Sequence, residues 1–597
     1  MAYFALADAF ARAGRPVRLE AMVRNHGAES ACGVKAKLKL AGARLLKEEA
    51  APSEIEYGQP ATFAWTVRAD SPGKAKATLE ICDLPAMIKT LEFKRPLRLP
   101  KAAYVPKPKP ARSDYQVGVY YFPGWNTATA WSRIKPYPER QPLLGWYREG
   151  DPEVADWQIK WAVEHGISFF LYDWYWNRGA RHLEHGLHDA LFKARYQHLL
   201  KFCLLYANHN PPGSHSAADW EAITRYWIEN YFRRPNYLRV EGKPVVVIFS
   251  SLNPSRDMGD GLVSQTFDRM RAMCRDAGVG GLYLVACSPP TTALLARFKA
   301  LGYDAVTAYN WPSINMTPAE KLANRAPFAT CLEGFRAAWN DIAAANIIKL
   351  IPPVCGGWDA RPWHGEATLA RTGRTPALFK QHLLDCKRFL DQQEQPPKLR
   401  MLFIEAWNEW GEGSYIEPHR EFGFGYLEAI RQVFAPRSPK PAEIVPADIG
   451  LGPYDVAETP LTTTWDFTQA ADPLGWTGNV GNLRIEAGAL RFVTQGRDPI
   501  LTSPPMNARA SRFPFIVLRV QSSRDIGGQL FWTNPGVGAH EDASVDFHIK
   551  GDGRFHDIKV RVADNPRWRG FITGLRFDPG SDEGVEVAVE AIRLSEK

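Results

Sequence analysis

Several signals that identify common protein classes are missing from this chain. The eight cysteines include no C-x-x-C pair and no spacing suited to a zinc site. No segment approaches the roughly 20 apolar residues that a membrane helix needs. No run of lysines and arginines resembles a nucleic-acid-binding arm, and the net charge of +8 is small for 597 residues. We therefore predict no membrane span and no nucleic-acid partner.

Motifs for bound cofactors are missing as well. No G-x-G-x-x-G follows the first apolar strand, which counts against a nucleotide-binding Rossmann domain. No H-E-x-x-H or comparable His/Asp spacing supports a catalytic metal. The sequence thus predicts neither a cofactor nor a metal.

The first residues, Met1 to Arg15, lack a basic segment followed by a long apolar run and a small-residue cleavage site. We nevertheless predict a bacterial protein that is secreted, periplasmic or bound to the cell surface, from which a signal peptide has been removed. The reason is the pair of terminal modules described below, since such modules resemble accessories that hold a polymer near an active site.

The length and the aromatic content are informative. Because hydrophobic cores stop growing near roughly 250–300 residues, we expect 597 residues to form two to four domains. The chain has 20 tryptophans, of which 15 lie between Trp125 and Trp410. Aromatic rings bind the flat C–H faces of sugars while losing little side-chain entropy. This enrichment favours a carbohydrate ligand.

Strand patterns of period two occur at both ends of the chain. Residues 1–100 are typical of a small immunoglobulin-like β-sandwich, and residues 461–597 of a jelly-roll sandwich similar to a carbohydrate-binding module. Proline-rich linkers are predicted at 101–114 and 436–460. Cys32 and Cys82 could form a disulfide within the first module. Five other cysteines are predicted to be buried free thiols: Cys203, Cys274, Cys287, Cys331 and Cys386.

Residues 115–435 alternate apolar strands with helices through eight rounds, from VGVYYFPGW at Val117–Trp125 to RMLFIEAWNEWGEG at Arg400–Gly413. Strands that are apolar throughout are buried on both faces, as in a parallel sheet covered by helices. Eight such units predict a (β/α)8 TIM barrel between the two sandwiches.

The active site of this fold lies at the C-terminal ends of the strands. There the sequence interleaves aromatic rings with polar side chains, which a simple lid over the core does not need. We predict that the following residues bind substrate: Tyr121, Trp125, Asp173, Trp174, Tyr175, Trp176, Tyr206, Asn208, Asn310, Trp311, Trp358, Trp407, Asn408, Trp410 and Glu417.

Two glutamates follow the last strand in the segment FIEAWNEWGEGSYIEP. Glu409 and Glu412 lie three residues apart, and a tight turn at Gly411 and Gly413 would let them converge on one site. Glycoside cleavage needs a general acid for the departing oxygen and a second carboxylate on the sugar side. Neighbouring tryptophans can raise a carboxyl pKa by excluding water. We predict Glu409 and Glu412 as the catalytic pair.

Four segments together resemble the glycoside hydrolase family 99-like domain, also described as WbsX-like: YYFPGW, GWYREGDPEVADWQIKWAVEHGISFFLYDWYW, YANHN and EAWNEWGEGSYIEP. The characterised family 99 relatives are retaining endo-α-mannosidases. The resemblance implies that Glu409 assists the substrate's own 2-hydroxyl in forming a 1,2-anhydro sugar. It implies that Glu412 acts as general acid and then base. Gly411 replaces the histidine of the mannosidase motif, so the resemblance does not fix mannose as the sugar.

The favoured function is a retaining glycoside hydrolase that cleaves α-linked bonds in a poly- or oligosaccharide. Two alternatives remain open. One is a glycosyltransferase of surface-polysaccharide assembly, although no convincing phosphate-binding loop or D-x-D motif occurs at a strand end. The other is a carbohydrate-binding protein without activity, against which the presence of both glutamates argues.

Overall fold

The structure is a computed structural model that describes residues 3–7, 10–25, 29–50, 54–55, 60–82, 84–365, 367–393, 399–457, 461–496, 498–534 and 538–597. Two compact units are present. One spans Leu97–Val456, and the other combines Met1–Pro96 with Ala457–Lys597. The predicted barrel corresponds to the first of these units.

The N-terminal module contains two antiparallel sheets. Tyr3–Leu6, Val17–Arg24, Arg44–Glu48 and Pro60–Arg68 form one sheet, and Ala36–Ala41, Gly73–Ile81 and Met87–Phe93 form the other. Alternate side chains, among them Leu19, Trp65 and Leu79, are buried in a single apolar cluster. Cys32 and Cys82 are exposed free thiols, so the possible disulfide is not formed.

All eight predicted barrel strands are present and pair in parallel. They span Gln116–Tyr121, Phe169–Asn177, Lys201–Tyr206, Lys243–Ile248, Tyr283–Cys287, Ala305–Thr307, Lys349–Cys355 in two segments, and Met401–Glu405. Their side chains are buried on both faces, as the unbroken apolar runs predict. The five cysteines predicted as buried thiols are free, four of them buried and Cys287 half-buried, and the sixth cysteine of this region, Cys355, is also a buried free thiol.

The parallel sheet curls as in a TIM barrel, but its ladder is not one uninterrupted ring. The seventh strand is split: Lys349–Leu350 pairs with the sixth strand, whereas Pro353–Cys355 pairs with the eighth. Pro352 and Pro353 lie at the break, and proline has no N–H to donate to a ladder. The prediction of a TIM-barrel-like domain is thus confirmed. The regular closure of a (β/α)8 barrel is not observed at the seventh strand.

Helices follow most of the strands. The main ones are Pro152–Glu164, Ala217–Trp227, Asp260–Asp276, Leu295–Leu301, Phe328–Ala345, Pro376–Gln392 and Gly425–Phe434. Asp151 caps the first of these by accepting from the backbone N–H of Glu153. Between the second and third strands the chain forms only short turns, at Gly186–Ala190, Leu191–Lys193 and Gln197–Leu199. The eight β/α units are therefore not all regular.

The predicted linker 101–114 and residues 436–456 of the second predicted linker lie within the barrel unit and are bonded to it. The backbone N–H of Ala111 donates to Val163 at 2.8 Å, and that of Tyr454 donates to Leu144 at 2.9 Å. The Tyr104 hydroxyl donates to Asp156 at 2.7 Å. These proline-rich segments therefore form part of the barrel surface.

The C-terminal module is again built from two antiparallel sheets. Its longest strands are Phe515–Ser522, Ile526–Thr533, Ser544–Ile549, His556–Arg561 and Glu586–Ser595. A separate apolar cluster that includes Trp465, Leu518 and Phe577 fills the space between them. Within the described ranges, no helix has the length and apolarity to cross a bilayer.

Candidate active site

The last barrel strand ends at Glu405, and the chain then doubles back on itself. The backbone N–H of Ala406 donates to Ser414 at 2.7 Å, and that of Glu417 donates to Trp407 at 2.8 Å. Gly413 has φ +74°, which favours glycine. This return turn, residues 406–413, carries Glu409 and Glu412 at the mouth of the barrel.

Two buried arginines and an aspartate hold the backbone of the return turn. Arg140 donates to the carbonyl of Trp410 at 2.6 Å and pairs with Asp359 at 2.7 Å. The Asp359 N–H donates to the carbonyl of Glu412 at 2.5 Å. Arg374 donates to the carbonyl of Gly413 at 3.0 Å. Three carbonyls of the turn are thus fixed from outside, which orients the two glutamate side chains.

Both candidate catalytic glutamates are largely withdrawn from water. Glu409 is 4% exposed and Glu412 is half-buried. Burial, followed by the charges of Glu412 and Asp173, raises the pKa of Glu409 well above its ordinary value. Burial also raises the pKa of Glu412 to about 7. The two groups therefore resist carrying two negative charges at once.

Two further carboxyl groups lie close to the pair. Asp173, at the end of the second strand, has its pKa raised by burial and then by the charges of Glu412 and Glu149. Glu405 is fully buried, accepts a hydrogen bond from Asn310, and has its pKa raised by burial and then by Glu412. The predicted residues Asp173, Asn310, Glu409 and Glu412 are thus brought together in one acidic site.

Aromatic rings border this acidic site. The carboxyl groups of Asp173, Glu409 and Glu412 all raise the pKa of Tyr175, after the effect of burial, and they act in the same way on Tyr309. Both rings are half-buried, as is Trp358 after the seventh strand. A carbohydrate ring in the site would therefore meet flat apolar faces beside the carboxyl groups.

Most of the tryptophans predicted to bind substrate lie beneath this surface instead. Trp125, Trp174, Trp407 and Trp410 are at most 1% exposed, and Trp311 and Trp176 are 5% and 7% exposed. Their N–H groups have internal partners: Trp125 donates to Asn408, Trp174 to Glu184, Trp176 to Asp219, Trp311 to Ser288 and Trp410 to Tyr147. Trp407 packs against Phe170. These buried rings support the site from below. Direct contact between them and a sugar stays a prediction, and their burial disfavours it.

The two predicted asparagines of strands three and eight are also occupied internally. The Asn408 amide bonds both backbone groups of Phe122 at 2.9 Å and donates to Glu149 at 2.7 Å. Asn208 bonds both backbone groups of Ser250, at 2.7 and 3.1 Å. Each amide joins one strand-end loop to another, which disfavours the predicted hydrogen bond to a sugar hydroxyl.

Three other predicted residues belong to a buried polar network. Glu417 accepts from Tyr147 at 2.7 Å and from Gln158 at 3.4 Å, and Tyr121 donates to Gln158 at 3.0 Å. Burial raises the pKa of Glu417 to about 8. Tyr206 donates to the carbonyl of Trp176. The substrate contacts predicted for Tyr121, Tyr206 and Glu417 stay predictions. The hydrogen bonds of these three side chains go to other protein groups, so the residues support the site.

Two residues of the site did not emerge from the sequence. Glu149 is 1% exposed, accepts from the backbone N–H of Trp125 at 2.6 Å and from the Asn408 side chain, and has a pKa raised by burial to about 7. Trp363 lies in the short helix Arg361–His364 and donates to Glu409 Oε1 at 3.4 Å. A lone tryptophan in a loop has no periodic pattern, so only its position after the seventh strand could have drawn attention to it.

No group of three or more histidine, cysteine, aspartate or glutamate side chains suited to a metal ion occurs in the described part of the chain. A buried acid pair beside aromatic rings, at the C-terminal ends of curled parallel strands, is an arrangement suited to proton transfer.

Comparison with protein families agrees with this class. The model of the family "Glycosyltransferase WbsX" matches residues 135–430. This match covers just under half of the chain, lies within the barrel unit and confirms the resemblance to the WbsX-like group. The protein "Uncharacterized protein WxcX" from two strains of Xanthomonas campestris pv. campestris is 28% identical over 316 residues. That match covers 48% of this chain and 42% of the relative, so the chain corresponds to less than half of the relative's length.

Similar folds occur among solved structures. A "Glycoside hydrolase-like protein" is 20% identical with a TM-score of 0.41, and it covers 55% of this chain and 98% of its own. The GH99 endo-alpha-mannosidase from Bacteroides thetaiotaomicron is 16% identical with a TM-score of 0.40, covering 54% of this chain and 99% of its own.

Proposed function

We propose that the barrel is a retaining glycoside hydrolase that cleaves α-linked bonds of a poly- or oligosaccharide. The observation that carries the proposal is the pair Glu409 and Glu412, two buried carboxyl groups that interact with each other beside aromatic rings. No lysine, arginine or histidine of the described residues forms an ion pair with either. The pair is therefore available for proton transfer to a substrate.

The pair suits the two roles that glycoside cleavage requires. With its pKa raised to about 7, Glu412 is protonated in about half of the molecules at neutral pH and can then give its proton to the departing oxygen. Its Oε2 has no hydrogen-bond partner among the described residues and so remains free for that oxygen. Glu409 then acts as the base on the sugar side.

The resemblance supplies a sequence of steps for these roles. Glu409 takes the proton of the 2-hydroxyl, O2 bonds to C1, and the bond from C1 to the departing oxygen breaks as Glu412 protonates that oxygen. Water then attacks C1 while Glu412 takes a proton from it, the C1–O2 bond breaks, and Glu409 returns its proton to O2. Two inversions at C1 give net retention. A sugar without a suitable 2-hydroxyl would require a glycosyl-enzyme intermediate instead.

The test is release of reducing ends from a panel of α-linked glycans. We expect wild type to release them and both Glu409→Gln and Glu412→Gln to lose at least about 100-fold in rate, the usual contribution of an acid or base. Glu229→Gln changes an exposed glutamate of the same unit and should act like wild type. Activity that survives in both active-site variants would exclude the pair.

The printed name of the matching family, a glycosyltransferase, favours a second candidate. In that case the same cleft would bind an acceptor glycan and a nucleotide-sugar donor. Transfer of labelled sugar from such a donor, without hydrolysis of any glycan, would support the transferase and contradict the hydrolase.

The remaining predictions concern the setting of the barrel. A carbohydrate-binding role for the C-terminal sandwich, a role in polysaccharide degradation and a secreted, periplasmic or surface location remain proposals. Binding of the isolated glycan panel by a Glu412→Gln variant, with and without substitutions in the C-terminal sandwich, would test the first of them.

A further inference from the structure

Trp363 occupies a defined position against the catalytic turn. A Cβ atom built on Gly411 would lie 1.8 Å from Trp363 Nε1 and 2.0 Å from Cε2. The φ of Gly411 is not positive, so clearance for the indole, and not backbone conformation, explains the glycine. The ring therefore fills the space that a side chain at position 411 would take.

The indole of Trp363 is held from several sides. It stacks on Trp125 with ring centres 5.6 Å apart and planes 15° apart, and Trp125 stacks in turn on Trp131. The guanidinium of Arg133 lies 5.4 Å from the Trp363 ring centre. A ring fixed in this way cannot move aside easily, so its N–H has a set direction.

That N–H points at one member of the glutamate pair. It donates to Glu409 Oε1 at 3.4 Å, whereas Glu412 Oε2 has no described partner. An indole N–H can only donate, so it stabilises a carboxylate and not the protonated oxygen. The two glutamates are therefore not equivalent sites for a single shared proton.

We propose that Trp363 is a positioning residue that fixes the side chain of Glu409 and favours its charged form, in opposition to burial and to the neighbouring carboxyl groups. This assignment rests on the proposed function for its catalytic meaning, since Glu409 is the base in that function. Because a side chain at position 411 would collide with the indole, the glycine at position 411 and the tryptophan at position 363 depend on each other.

Other groups face Glu409 and bear on its charge. The acidic ones are Glu412, Asp173, Glu149 and Glu405, and the phenols of Tyr175 and Tyr309 lie close as well. The acidic groups all disfavour a charge on Glu409, and burial acts in the same direction. The Trp363 N–H acts in the opposite direction and favours the charged form of Glu409.

The experiment is a ¹³C NMR titration of protein labelled at glutamate Cδ, with signals assigned from Glu409→Gln and Glu412→Gln. In Trp363→Phe, which keeps a ring but loses the N–H, the ionisation of Glu409 should rise by about half a pH unit or more relative to wild type. Trp146→Phe, a half-buried indole that touches the same stack through Trp131, is the matched control.

Gly411→Ala provides an independent arm. Its Cβ should displace the indole and reproduce the shift seen in Trp363→Phe, although the N–H is retained. In a Trp363→Ala background the same substitution should add little, because the obstructing ring is gone. Thermal melting checks that each variant is folded.

The outcomes separate this assignment from the proposed function. An unchanged ionisation of Glu409 in Trp363→Phe, or an equal shift in Trp363→Phe and Trp146→Phe, overturns the assignment. If the titration follows expectation but wild type cleaves no glycan, the hydrolase proposal fails and the role of Trp363 toward Glu409 stands. Where wild type is active, the acid limb of its pH–rate profile should move upward in Trp363→Phe by the same amount as the ionisation of Glu409.

Discussion

At the scale of single residues, the barrel mouth concentrates acidic groups without compensating cations. Asp173, Glu405, Glu409 and Glu412 all have raised pKa values, in each case chiefly through burial. Among the described residues none of the four is in an ion pair. Burying an unpaired carboxyl group opposes folding. Such an arrangement is typical of functional sites, where stability is lost in exchange for reactivity.

A stability measurement follows from the raised pKa of Glu412. The pKa of Glu412 is about 7 in the folded state, compared with an ordinary value of 4.5, so the folded state holds this proton more tightly than the unfolded state. The associated stability is fully present below about pH 4.5 and is lost as pH rises through 7. Glu412→Gln, which is always neutral, should therefore exceed wild type in unfolding free energy at pH 8 by on the order of 1–3 kcal/mol.

Chemical unfolding between pH 5 and 8.5 checks this expectation. The difference between Glu412→Gln and wild type should shrink toward pH 5, and Glu229→Gln should show no such trend. A variant that is no more stable than wild type at pH 8 would contradict the raised pKa.

Sequence patterns could identify the acid pair but not all of its neighbours. Glu409 and Glu412 follow the last strand in a glycine-containing turn, which is a local signal. Trp363 comes from another loop, 46 residues before Glu409, and its contact depends on tertiary structure. The burial of Trp407, Asn408 and Trp410 was equally hidden, because successive residues of an irregular turn have no fixed period that separates inward from outward faces.

At the scale of structural elements, the return turn depends on contacts from other loops. Arg140 precedes the second strand, whereas Asp359 and Arg374 follow the seventh, and all three bond the turn or its flanks. The eight strands could be predicted because each is an apolar run buried on both faces. The missing helix after the second strand and the break at Pro352 could not, since they depend on how neighbouring elements close the sheet.

Arg140→Lys tests the support of the turn. Lysine keeps the charge but lacks the fork with which Arg140 bonds both Trp410 and Asp359. We expect kcat on the glycan substrate to fall by about 10-fold or more with the fold retained, because small displacements of catalytic groups have effects of this size. Circular dichroism monitors folding.

Arg361→Lys is the matched control for that variant. Arg361 bonds the same Asp359 carboxylate at 2.8 Å but makes its contact away from the carbonyl of Trp410. An equal loss of kcat in both variants would mean that the charge on Asp359 matters and that the turn contact does not.

At the scale of the whole molecule, composition indicated the division into modules, but the limits of the barrel unit extend beyond the predicted ones. The unit spans Leu97–Val456 and so includes the first proline-rich segment and residues 436–456 of the second. Proline content suggests a linker, yet specific bonds such as that between Tyr454 and Glu153, at 2.6 Å, attach these segments to the barrel. Their packing depends on single tyrosines that no periodic pattern reveals.

Tyr454→Phe measures this attachment. It removes the hydroxyl that donates to Glu153 and accepts from Trp157 at 2.8 Å. We expect the barrel unfolding transition to lose about 1–2 kcal/mol. If residues 436–456 were an unattached linker, the transition would not change.

The central claim is that Glu412 donates the proton that allows the sugar–oxygen bond to break. Its most direct test compares Glu412→Gln on two substrates with the same α-linked sugar, one with an unactivated alcohol as leaving group and one with a dinitrophenolate. The variant should lose cleavage of the first by about 100-fold or more and keep most of its rate of bond breaking on the second, because a good leaving group needs no proton. Equal losses on both substrates would contradict the account.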